Sequence, residues 1–374
     1  MAKKAKAKSK KSLVGDIIFY VILALIVIFL FVFFITPRFW ANNKKYGTLE
    51  GALPSTTWMA NLDDNLSLNQ INIPGTHDSA TQFVQLAYFS KCQTKSIAQQ
   101  LEMGYRYLDI RLAFDNKNVS DGESPKLKFM HGFVNCKHGN KRSAPILYLD
   151  EVLQDCYAFL EENPTETIIF VAKKDHGDET IREFQQKLDS FIFVNNDKWF
   201  TENRIPTLGE VRGKIVLARR YDNEALLETR AGLNIVWAEQ GNHEIAPVSY
   251  ELNEQKNGLK VCIEDRYKYD VKDKWPAFVS ALENASYGIG TNEASTNEAD
   301  TNENFSIDNF VDADIYISFL STNGDTKFGH PVKYAIPLNK KFWADEMQSG
   351  KNYGWVILDY ATTELAQKIY MTNF

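Results

Sequence analysis

The sequence predicts an α/β protein in which a (β/α)8 barrel follows a single N-terminal transmembrane helix. A long apolar run lies near the N-terminus, and short apolar runs alternate with helical stretches in the rest of the chain. This alternation indicates a parallel sheet with helices outside it. About eight strands over roughly 300 residues fit one barrel better than two domains. A doubly wound open sheet is the alternative, but the glycine-rich loop that such a fold favours does not follow the first strand.

Nine short runs rich in valine, isoleucine and aromatic residues are the predicted strands. They cover residues 71–73, 107–112, 127–130, 167–172, 214–218, 234–238, 261–264, 314–320 and 355–359. The clearest predicted helix covers residues 145–162, where the apolar side chains fall on one face and Asn163-Pro164 stops the helix.

The N-terminal apolar run predicts a membrane anchor. Residues 17–37 are 21 positions without a charge, which is long enough to cross a hydrocarbon core of about 30 Å as a helix. A cleaved signal peptide is the alternative, but small residues usually end its apolar region, whereas Arg38, Phe39 and Trp40 follow here. Six lysines among the first eleven residues place the N-terminus in the cytoplasm. We therefore expect a single-pass protein of the cell membrane with an extracellular catalytic body.

We expect four regions along the chain: a basic cytoplasmic tail at 1–12, a transmembrane signal anchor at 13–37, a stem at 38–59 and the barrel at 60–374. Within the barrel, residues 290–304 contain a threefold TNE repeat that cannot bury an apolar face, so we expect a flexible acidic surface loop. The net charge is −6, and it is −12 without the six N-terminal lysines. An acidic body argues against nucleic acid as a partner.

The four cysteines show no metal-ligand spacing. Cys156 lies on the apolar face of the predicted 145–162 helix, which places it in the core. Cys92 and Cys136 fall in connecting segments of an exported body, where they either form a disulfide or remain free thiols. The sequence leaves both alternatives open.

Charged and imidazole side chains follow the predicted strands where each strand ends. A barrel assembles its active site at this end of its strands, so we expect these side chains to share one cavity. They are His77, Asp78, Asp109, Arg111, His131, Lys173, Lys174, Asp175, Arg219, Arg220, Asp265, Tyr267 and Asp359. Each residue alone could be structural, but together they predict a functional site.

These residue types suit the cleavage of a phosphodiester. Two histidines can move two protons near neutral pH, one as base and one as acid. An arginine beside an aspartate can contact a phosphate oxygen. The serine pattern G-x-S-x-G is absent, which argues against a covalent serine mechanism. The pattern therefore predicts attack on phosphorus by a neighbouring hydroxyl of the substrate, with release of an alcohol.

Seven segments resemble the catalytic domain of bacterial phosphatidylinositol-specific phospholipases C, in the family's order, over about residues 60–370. They read IPGTHDSAT, LDIR, FMHG, ENPTETIIFVAKKD, RGKIVLARRY, EDRYKY and GWVILDY. The resemblance implies a distorted (β/α)8 TIM barrel that cleaves phosphatidylinositol or glycosylphosphatidylinositol at a membrane surface. The implied products are diacylglycerol and inositol 1,2-cyclic phosphate, and the family's bacterial members need no metal or other cofactor.

The resemblance also implies roles for the two histidines. His77 would be the general base that takes the proton of the inositol 2-hydroxyl, with Asp359 behind it. His131 would be the general acid for the leaving oxygen of diacylglycerol, assisted by Asp78.

Further roles follow from the same resemblance. Arg111, held by Asp109, would contact the phosphate at the place where eukaryotic relatives bind calcium. Contacts to the inositol hydroxyls are implied for Lys173, Asp175, Arg220, Asp265 and Tyr267. Asp175 departs from the family, which usually has glutamate at this position. In such a barrel, Cys92 and Cys136 would lie in loops on the active-site face, which is the one reason to consider a bridge between them.

Two other functions remain as alternatives. A glycerophosphodiester phosphodiesterase would use a similar barrel but would hold a metal among several carboxylates, where this sequence has Arg111. An anchored module that binds lipid head groups without turnover would keep the barrel and lose its chemistry. Every position implied in catalysis is filled, which favours an enzyme.

Overall fold

The computed structural model describes residues 10–40, 46–117, 124–241, 251–254, 258–290, 310–324 and 329–374. Its strands are β1 (Ile73–Thr76), β2 (Tyr107–Phe114), β3 (Leu127–His131), β4 (Val134–Asn135), β5 (Ile168–Lys174), β6 (Trp199–Phe200), β7 (Ile215–Arg219), β8 (Leu233–Asn234), β9 (Glu251–Glu254), β10 (Lys260–Glu264), β11 (Ile315–Phe319) and β12 (Trp355–Leu358). Its α-helices are α1 (Lys10–Leu30), α2 (Ala87–Ser90), α3 (Ile97–Glu102), α4 (Leu149–Glu162), α5 (Ile181–Val194), α6 (Leu208–Val211), α7 (Val271–Gly290), α8 (Pro331–Ala344) and α9 (Thr363–Tyr370).

Eight parallel strands follow one another around a curled sheet in the order β8, β7, β5, β2, β1, β12, β11 and β10. Within the described part of the chain, no backbone ladder joins β8 to β10. The side chain of Gln240 spans this gap, because its amide donates to the carbonyl of Ile263 (3.0 Å) and accepts from the amide of Asp265 (2.7 Å). The predicted distorted (β/α)8 barrel is therefore confirmed.

One predicted strand has a different role. Residues 127–130 are not a barrel strand, because β3 pairs antiparallel with β2 and then with β4 in a hairpin outside the parallel path. A short apolar run alone does not reveal the direction of its pairing. The hairpin nevertheless brings His131 to the same end of the barrel as the carboxyl ends of β1 and β2.

Side-chain alternation along the strands separates the barrel interior from the outer layer. On β5, Ile169 and Val171 belong to the interior core, whereas Ile168 and Phe170 pack in the outer layer with residues of α4 and α5. The same period of two places Asp109 of β2 on the interior side, because Leu108 and Ile110 are in the outer layer. Interior positions near the carboxyl ends therefore carry the polar side chains.

The apolar N-terminal segment is helical. Residues Val14–Ile35 form a span of 22 residues with a mean hydropathy of 3.4, and none of its apolar window is buried. At 1.5 Å per residue this span is about 33 Å long, which matches the hydrocarbon thickness of a bilayer. By its length and composition this helix fits either a membrane anchor or a signal sequence.

The segment that we expected to be a stem packs on the barrel from Tyr46 onward. Tyr46 is buried and its ring lies 5.4 Å from that of Trp343. Trp58 is fully buried, stacks on Tyr370 at 5.1 Å and donates its indole N–H to the carbonyl of Gly104 (3.0 Å). Aromatic side chains in this segment thus join it to the body.

A buried ion pair fastens this segment to the bottom of the barrel. Arg106 and Glu166 are fully buried and lie 2.8 Å apart. Arg106 also donates to the carbonyls of Ser55 and Thr56 (both 3.0 Å), while Glu166 accepts from the amide of Met59 (3.0 Å). Both charges therefore have hydrogen-bond partners in the segment that covers them.

The four cysteines are free and buried, so the bridge considered between Cys92 and Cys136 is not formed. Cys136 packs in the outer hydrophobic layer, whereas the thiol of Cys92 faces the carboxylate of Asp78 (3.9 Å). The two side chains thus have different surroundings. Most of the expected tail and of the acidic loop, residues 1–9 and 291–309, lie outside the described residues.

We expect Glu166→Gln to lower the free energy of unfolding by about 3–5 kcal/mol, because it leaves the Arg106 guanidinium buried without its counter-charge. Urea denaturation of the detergent-solubilised full chain measures this change. The control is Glu202→Gln, which weakens the half-exposed pair with Arg204 (2.7 Å) and should cost less than about 1 kcal/mol. Equal losses in the two variants would contradict the assigned role of Glu166.

Candidate active site

A cavity of about 190 Å³ opens at the carboxyl ends of the barrel strands. Eight of the predicted site residues line it. They are His77, Arg111, His131, Lys173, Arg220, Asp265, Tyr267 and Asp359. Asp78 and Asp109 are buried and pair with Arg111 on this wall.

Strand register brings His77 and Asp359 together. Gly75 of β1 is the register partner of Ile357 of β12, and two further residues along each strand give His77 and Asp359. The His77 Nδ1 atom lies 2.8 Å from Asp359 Oδ1. A carboxylate accepts hydrogen bonds, so this contact places the proton of neutral His77 on Nδ1 and leaves the Nε2 lone pair facing the cavity.

The chain turns sharply after both residues. Asp78 has a φ of 44° and Tyr360 a φ of 51°, which lie in the left-handed region that residues other than glycine seldom adopt. Sterically costly conformations of this kind concentrate at functional sites. The turn at Asp78 returns its carboxylate to the cavity wall, where it lies 3.4 Å from His77 Nε2.

The Arg111 guanidinium lies at the centre of the charged cluster. Its Nε is 2.8 Å from Asp78 Oδ1, and one terminal nitrogen is 3.0 Å from Asp109 Oδ2. That terminal nitrogen also donates to His77 Nε2 (2.9 Å). Asp109 is held in turn by the backbone amide of Asp78, at 3.1 Å. The cation therefore contacts both carboxylates and the ring nitrogen that faces the cavity.

His131 enters the site from the β3–β4 hairpin. Its Nδ1 donates to the carbonyl of Ser90 at the end of α2 (2.8 Å), because a carbonyl only accepts. Asp78 Oδ2 lies 3.5 Å from the same ring nitrogen. The second ring nitrogen, Nε2, is therefore the atom that can exchange a proton at the cavity. Asp78 thus lies between the two histidines.

Neighbouring charges shift the pKa values of His77 and Asp109. Burial lowers the pKa of His77, but Asp359 and Asp78 raise it by more, so that it lies above the usual 6.5. Burial raises the pKa of Asp109, but Arg111 and Arg220 lower it by more, so that this carboxyl is fully ionised at neutral pH. His77 therefore gains affinity for a proton, as a general base requires.

The opposite wall of the cavity carries hydrogen-bonding groups of both charges. The guanidinium of Arg220 lies over the ring of Trp237 (3.5 Å) and 3.8 Å from Asp265. Lys173 lies 3.3 Å from Glu239. Burial and the nearby guanidinium groups lower the pKa of Lys173. Such a wall can donate to and accept from the hydroxyl groups of a polar ring.

Three strand-end residues lie elsewhere. Asp175 is not among the described residues that line the cavity; its carboxylate accepts from the amide of Gly132 (2.8 Å) and thereby supports the turn after His131. Lys174 of β5 and Arg219 of β7 each lie next to an interior residue and therefore face the outer side of the sheet. Lys174 donates to the carbonyl of Gly177 (2.9 Å), and Arg219 donates to that of Tyr221 (3.0 Å). A hydroxyl contact by Asp175 therefore has no support from this geometry.

Seven residues outside the predicted set of site residues also line the cavity. They are Phe89, Cys92, Glu239, Ser321, Thr322, Asn323 and Pro331. Ser321, Thr322 and Asn323 come just after β11, and Glu239 follows predicted strand 234–238, so the strand-end rule could have found these four. Cys92 lies on the active-site face, where the resemblance placed it, whereas Phe89 and Pro331 carry no such signal.

One group of described residues has atoms close enough to share a metal ion. Ligand atoms of His77, Asp78 and Cys92 lie within 4.8 Å of one another. The Arg111 cation already contacts His77 and Asp78, and burial, followed by the charges of Asp359 and Asp78, raises the pKa of Cys92 well above its usual range. A neutral thiol beside a guanidinium is a poor ligand set, so these residues do not fit a divalent cation well.

The fold and the cavity are those of a barrel enzyme, with two histidines and a partly buried arginine at the carboxyl ends of the strands. Residues 68–221 match the family described as phosphatidylinositol-specific phospholipase C, X domain. Over these residues the chain is therefore similar to this X-domain family.

Individual relatives agree with this assignment. The chain is 28% identical over 320 residues to the 1-phosphatidylinositol phosphodiesterase of Staphylococcus aureus strain Newman, covering 81% of this chain and 88% of the relative. It is 30% identical over 208 residues to the enzyme of the same name from Listeria monocytogenes, covering 53% and 59%.

Solved structures of such enzymes share the fold. A structure of phosphatidylinositol-specific phospholipase C from Staphylococcus aureus superposes with a TM-score of 0.63 at 25% identity, over 86% of this chain and 98% of that chain. The Listeria monocytogenes enzyme superposes with a TM-score of 0.59 at 24% identity, over 86% of this chain and all of that chain.

We expect Asp359→Asn to lower the pKa of His77, because it removes the largest of the charges that raise it. Nitrogen-15 NMR of the imidazole signals, followed over pH 4–9, measures the titration. The exposed Asp150→Asn is the matched control and should leave the titration of His77 unchanged. A His77 that titrates at the same pH in the wild type and in Asp359→Asn would contradict the assigned partner.

Proposed function

We propose that the protein is a membrane-anchored phosphodiesterase that cleaves phosphatidylinositol, or glycosylphosphatidylinositol, by attack of the inositol 2-hydroxyl on phosphorus. The products are diacylglycerol and inositol 1,2-cyclic phosphate. The observation that supports this most is the pair of histidines beside Arg111, each with its Nδ1 proton held, by Asp359 in one case and by the Ser90 carbonyl in the other.

The proposed reaction is an internal transfer with two proton movements. His77 Nε2 takes the proton of the 2-hydroxyl as that oxygen bonds to phosphorus, and Asp359 stabilises the imidazolium that forms. The bond from phosphorus to the glycerol oxygen breaks, and His131 Nε2 protonates the leaving oxygen. Because the attacking hydroxyl belongs to the substrate, the protein mainly supplies proton transfer and charge stabilisation.

Arg111 is the proposed phosphate ligand. In the structure it donates a hydrogen bond to His77 Nε2, whose lone pair the mechanism needs as the base. A phosphate oxygen is a stronger acceptor for a guanidinium than a neutral imidazole is, so substrate binding would draw Arg111 from His77 and free the base. We propose that this fixed cation makes the reaction independent of metal ions.

The remaining cavity residues are the proposed inositol contacts. Lys173, Arg220, Asp265 and Tyr267 line one wall at the same end of the barrel. Donors and carboxylates alternate on it, which suits the several hydroxyl groups of inositol. Asp175 is left out of this set because it supports the turn at Gly132.

We further propose that the helix Val14–Ile35 stays in the membrane as an anchor, with the N-terminus in the cytoplasm and the barrel outside. Its length fits a bilayer and its surface is not buried. The lysines that precede it support this orientation.

We expect the full chain in mixed micelles to convert phosphatidylinositol to a cyclic inositol phosphate in EDTA, and His77→Ala to reduce the rate by about 10²–10⁴-fold. Phosphorus-31 NMR identifies the product. His138→Ala removes a half-exposed histidine that pairs with Glu151 and is the control, expected to retain the wild-type rate. Activity that appears only with added calcium would contradict the role of Arg111, and silence of the folded wild type would favour a binding module.

The two histidines should respond differently to the leaving group. We expect His131→Ala to lose at least about 10²-fold on the lipid but little on an inositol phosphodiester of p-nitrophenol, because that alcohol leaves without a proton. His77→Ala should lose activity on both substrates. Initial rates, from product NMR and from absorbance, test this difference. Equal losses by His131→Ala on the two substrates would remove the assignment of His131 as the acid.

A further inference from the structure

The end of the apolar helix packs beside the mouth of the cavity. The ring of Phe33, in the last turn of Val14–Ile35, lies 4.4 Å from Tyr88 and 5.6 Å from Phe89. Trp40, five residues beyond the span, lies 5.3 Å from Tyr88. Phe89 is itself a wall residue of the cavity, so anchor and cavity share a boundary.

A second contact joins the anchor to the residue just before α8. Trp40 stacks on His330 with ring centroids 4.7 Å apart and planes inclined by 22°. His330 immediately precedes Pro331, another wall residue and the first residue of α8. The anchor end therefore contacts two elements, α2 and the start of α8, which also touch each other through Tyr88 and His330 (4.6 Å).

The contacted helix α2 also reaches the proposed chemistry. Its residue Ser90 accepts the hydrogen bond that orients His131. The anchor thus contacts α2, and α2 in turn contacts the proposed general acid, His131. A single packed unit extends from the membrane span to the reacting end of the barrel.

The covalent connection is short as well. Tyr46 is buried on the barrel, so no more than ten residues separate it from Ile35, the end of the span. Even fully extended, this link reaches only about 40 Å. The expected stem of 38–59 would have allowed the barrel to reach a neighbouring membrane, whereas the packing of Tyr46 and Trp40 leaves little free length.

The height of the mouth fits the position of a lipid head group. Phe33 lies two residues, or about 3 Å, before the end of the apolar span, and the head-group zone begins there. Three large apolar side chains near the mouth remain exposed: Leu86 (43%), Phe89 (40%) and Phe133 (75%). Their segments are adjacent, because the amide of Gln85 donates to the carbonyl of Asn135 (3.0 Å). We call Leu86, Phe89 and Phe133 the apolar rim.

We propose that the anchor docks the cavity mouth onto the bilayer that carries it, with the apolar rim in the outer head-group zone, so that the enzyme cleaves lipids of its own membrane and not those of a facing one. The occupant of the rim is this bilayer, because the rim is continuous with the lipid-facing span through the contacts of Phe33 and Trp40. The inference rests on the proposed function for its substrate, but the docking is a separate property.

Proteoliposomes of the full chain test the substrate side. Vesicles that carry the protein contain phosphatidylinositol with one fluorescent label, and protein-free vesicles contain it with another. We expect label in the protein's own membrane to be consumed at least roughly tenfold faster than label in the others. Equal consumption of the two labels would overturn the inference.

Matched double variants test the docking contacts. Phe33→Ala with Trp40→Ala removes both anchor contacts, and we expect it to slow turnover in the same membrane about tenfold, through lost orientation of the mouth. Phe34→Ala with Phe39→Ala removes two exposed aromatic side chains from the same stretch and should retain the wild-type rate. An unchanged rate in the first variant would overturn the role of these contacts.

Two measurements separate this inference from the proposed function. The wild type and the two double variants should cleave a short-chain phosphatidylinositol equally when it is below its micelle concentration. Failure of the wild type on this substrate would refute the proposed function. A fluorophore on Phe133→Cys, in a protein whose native cysteines are all buried, should be quenched by brominated lipids. Absence of quenching would overturn the docking whether or not the lipid is cleaved.

Discussion

The interaction on which the cavity depends is the contact of the Arg111 cation with Asp78 and Asp109. Two carboxylates buried so close together would repel each other and take up protons unless a cation lay between them. With Arg111 in place, Asp109 holds the backbone of Asp78, and Asp78 stands between the two histidines. The same cation is what the site offers to a phosphate, so the charge that stabilises the two carboxylates is also the proposed ligand for the substrate.

Much of this arrangement could be predicted from local sequence, because the period of two along a strand is a local property. Asp109 and Arg111 share a side, and His77 and Asp359 follow the strands β1 and β12, which are neighbours in the barrel. The fold class follows from the alternation of strands and helices. Eight of the predicted residues line one cavity for these reasons.

The rest depends on contacts between distant parts of the chain. The run at 127–130 looks like any short strand, and only its antiparallel pairing with β2 and β4 places it in a hairpin outside the parallel path. The carboxylate of Asp175 turns to the Gly132 amide because that hairpin is there. Likewise, the sequence shows only that Trp40 follows the apolar run, whereas its stacking on His330 requires the folded barrel. Polarity and spacing contain no signal for such partners.

The gap between β8 and β10 has a mechanical consequence. A closed ring of strands resists widening because every hydrogen-bonded ladder would have to stretch at once, but a ring split along one line widens most easily at that line. In the described part of the chain, β9 pairs antiparallel with the free edge of β10, and side chains cross the line: the amide of Gln240 bonds to two backbone groups of β10 and its next residue, and the indole N–H of Trp237 donates to Asp265 (3.2 Å). Side chains, and not a ladder from β8 to β10, therefore close the described barrel along this line, so we expect the cavity to widen most easily along the wall that carries Trp237 and Asp265.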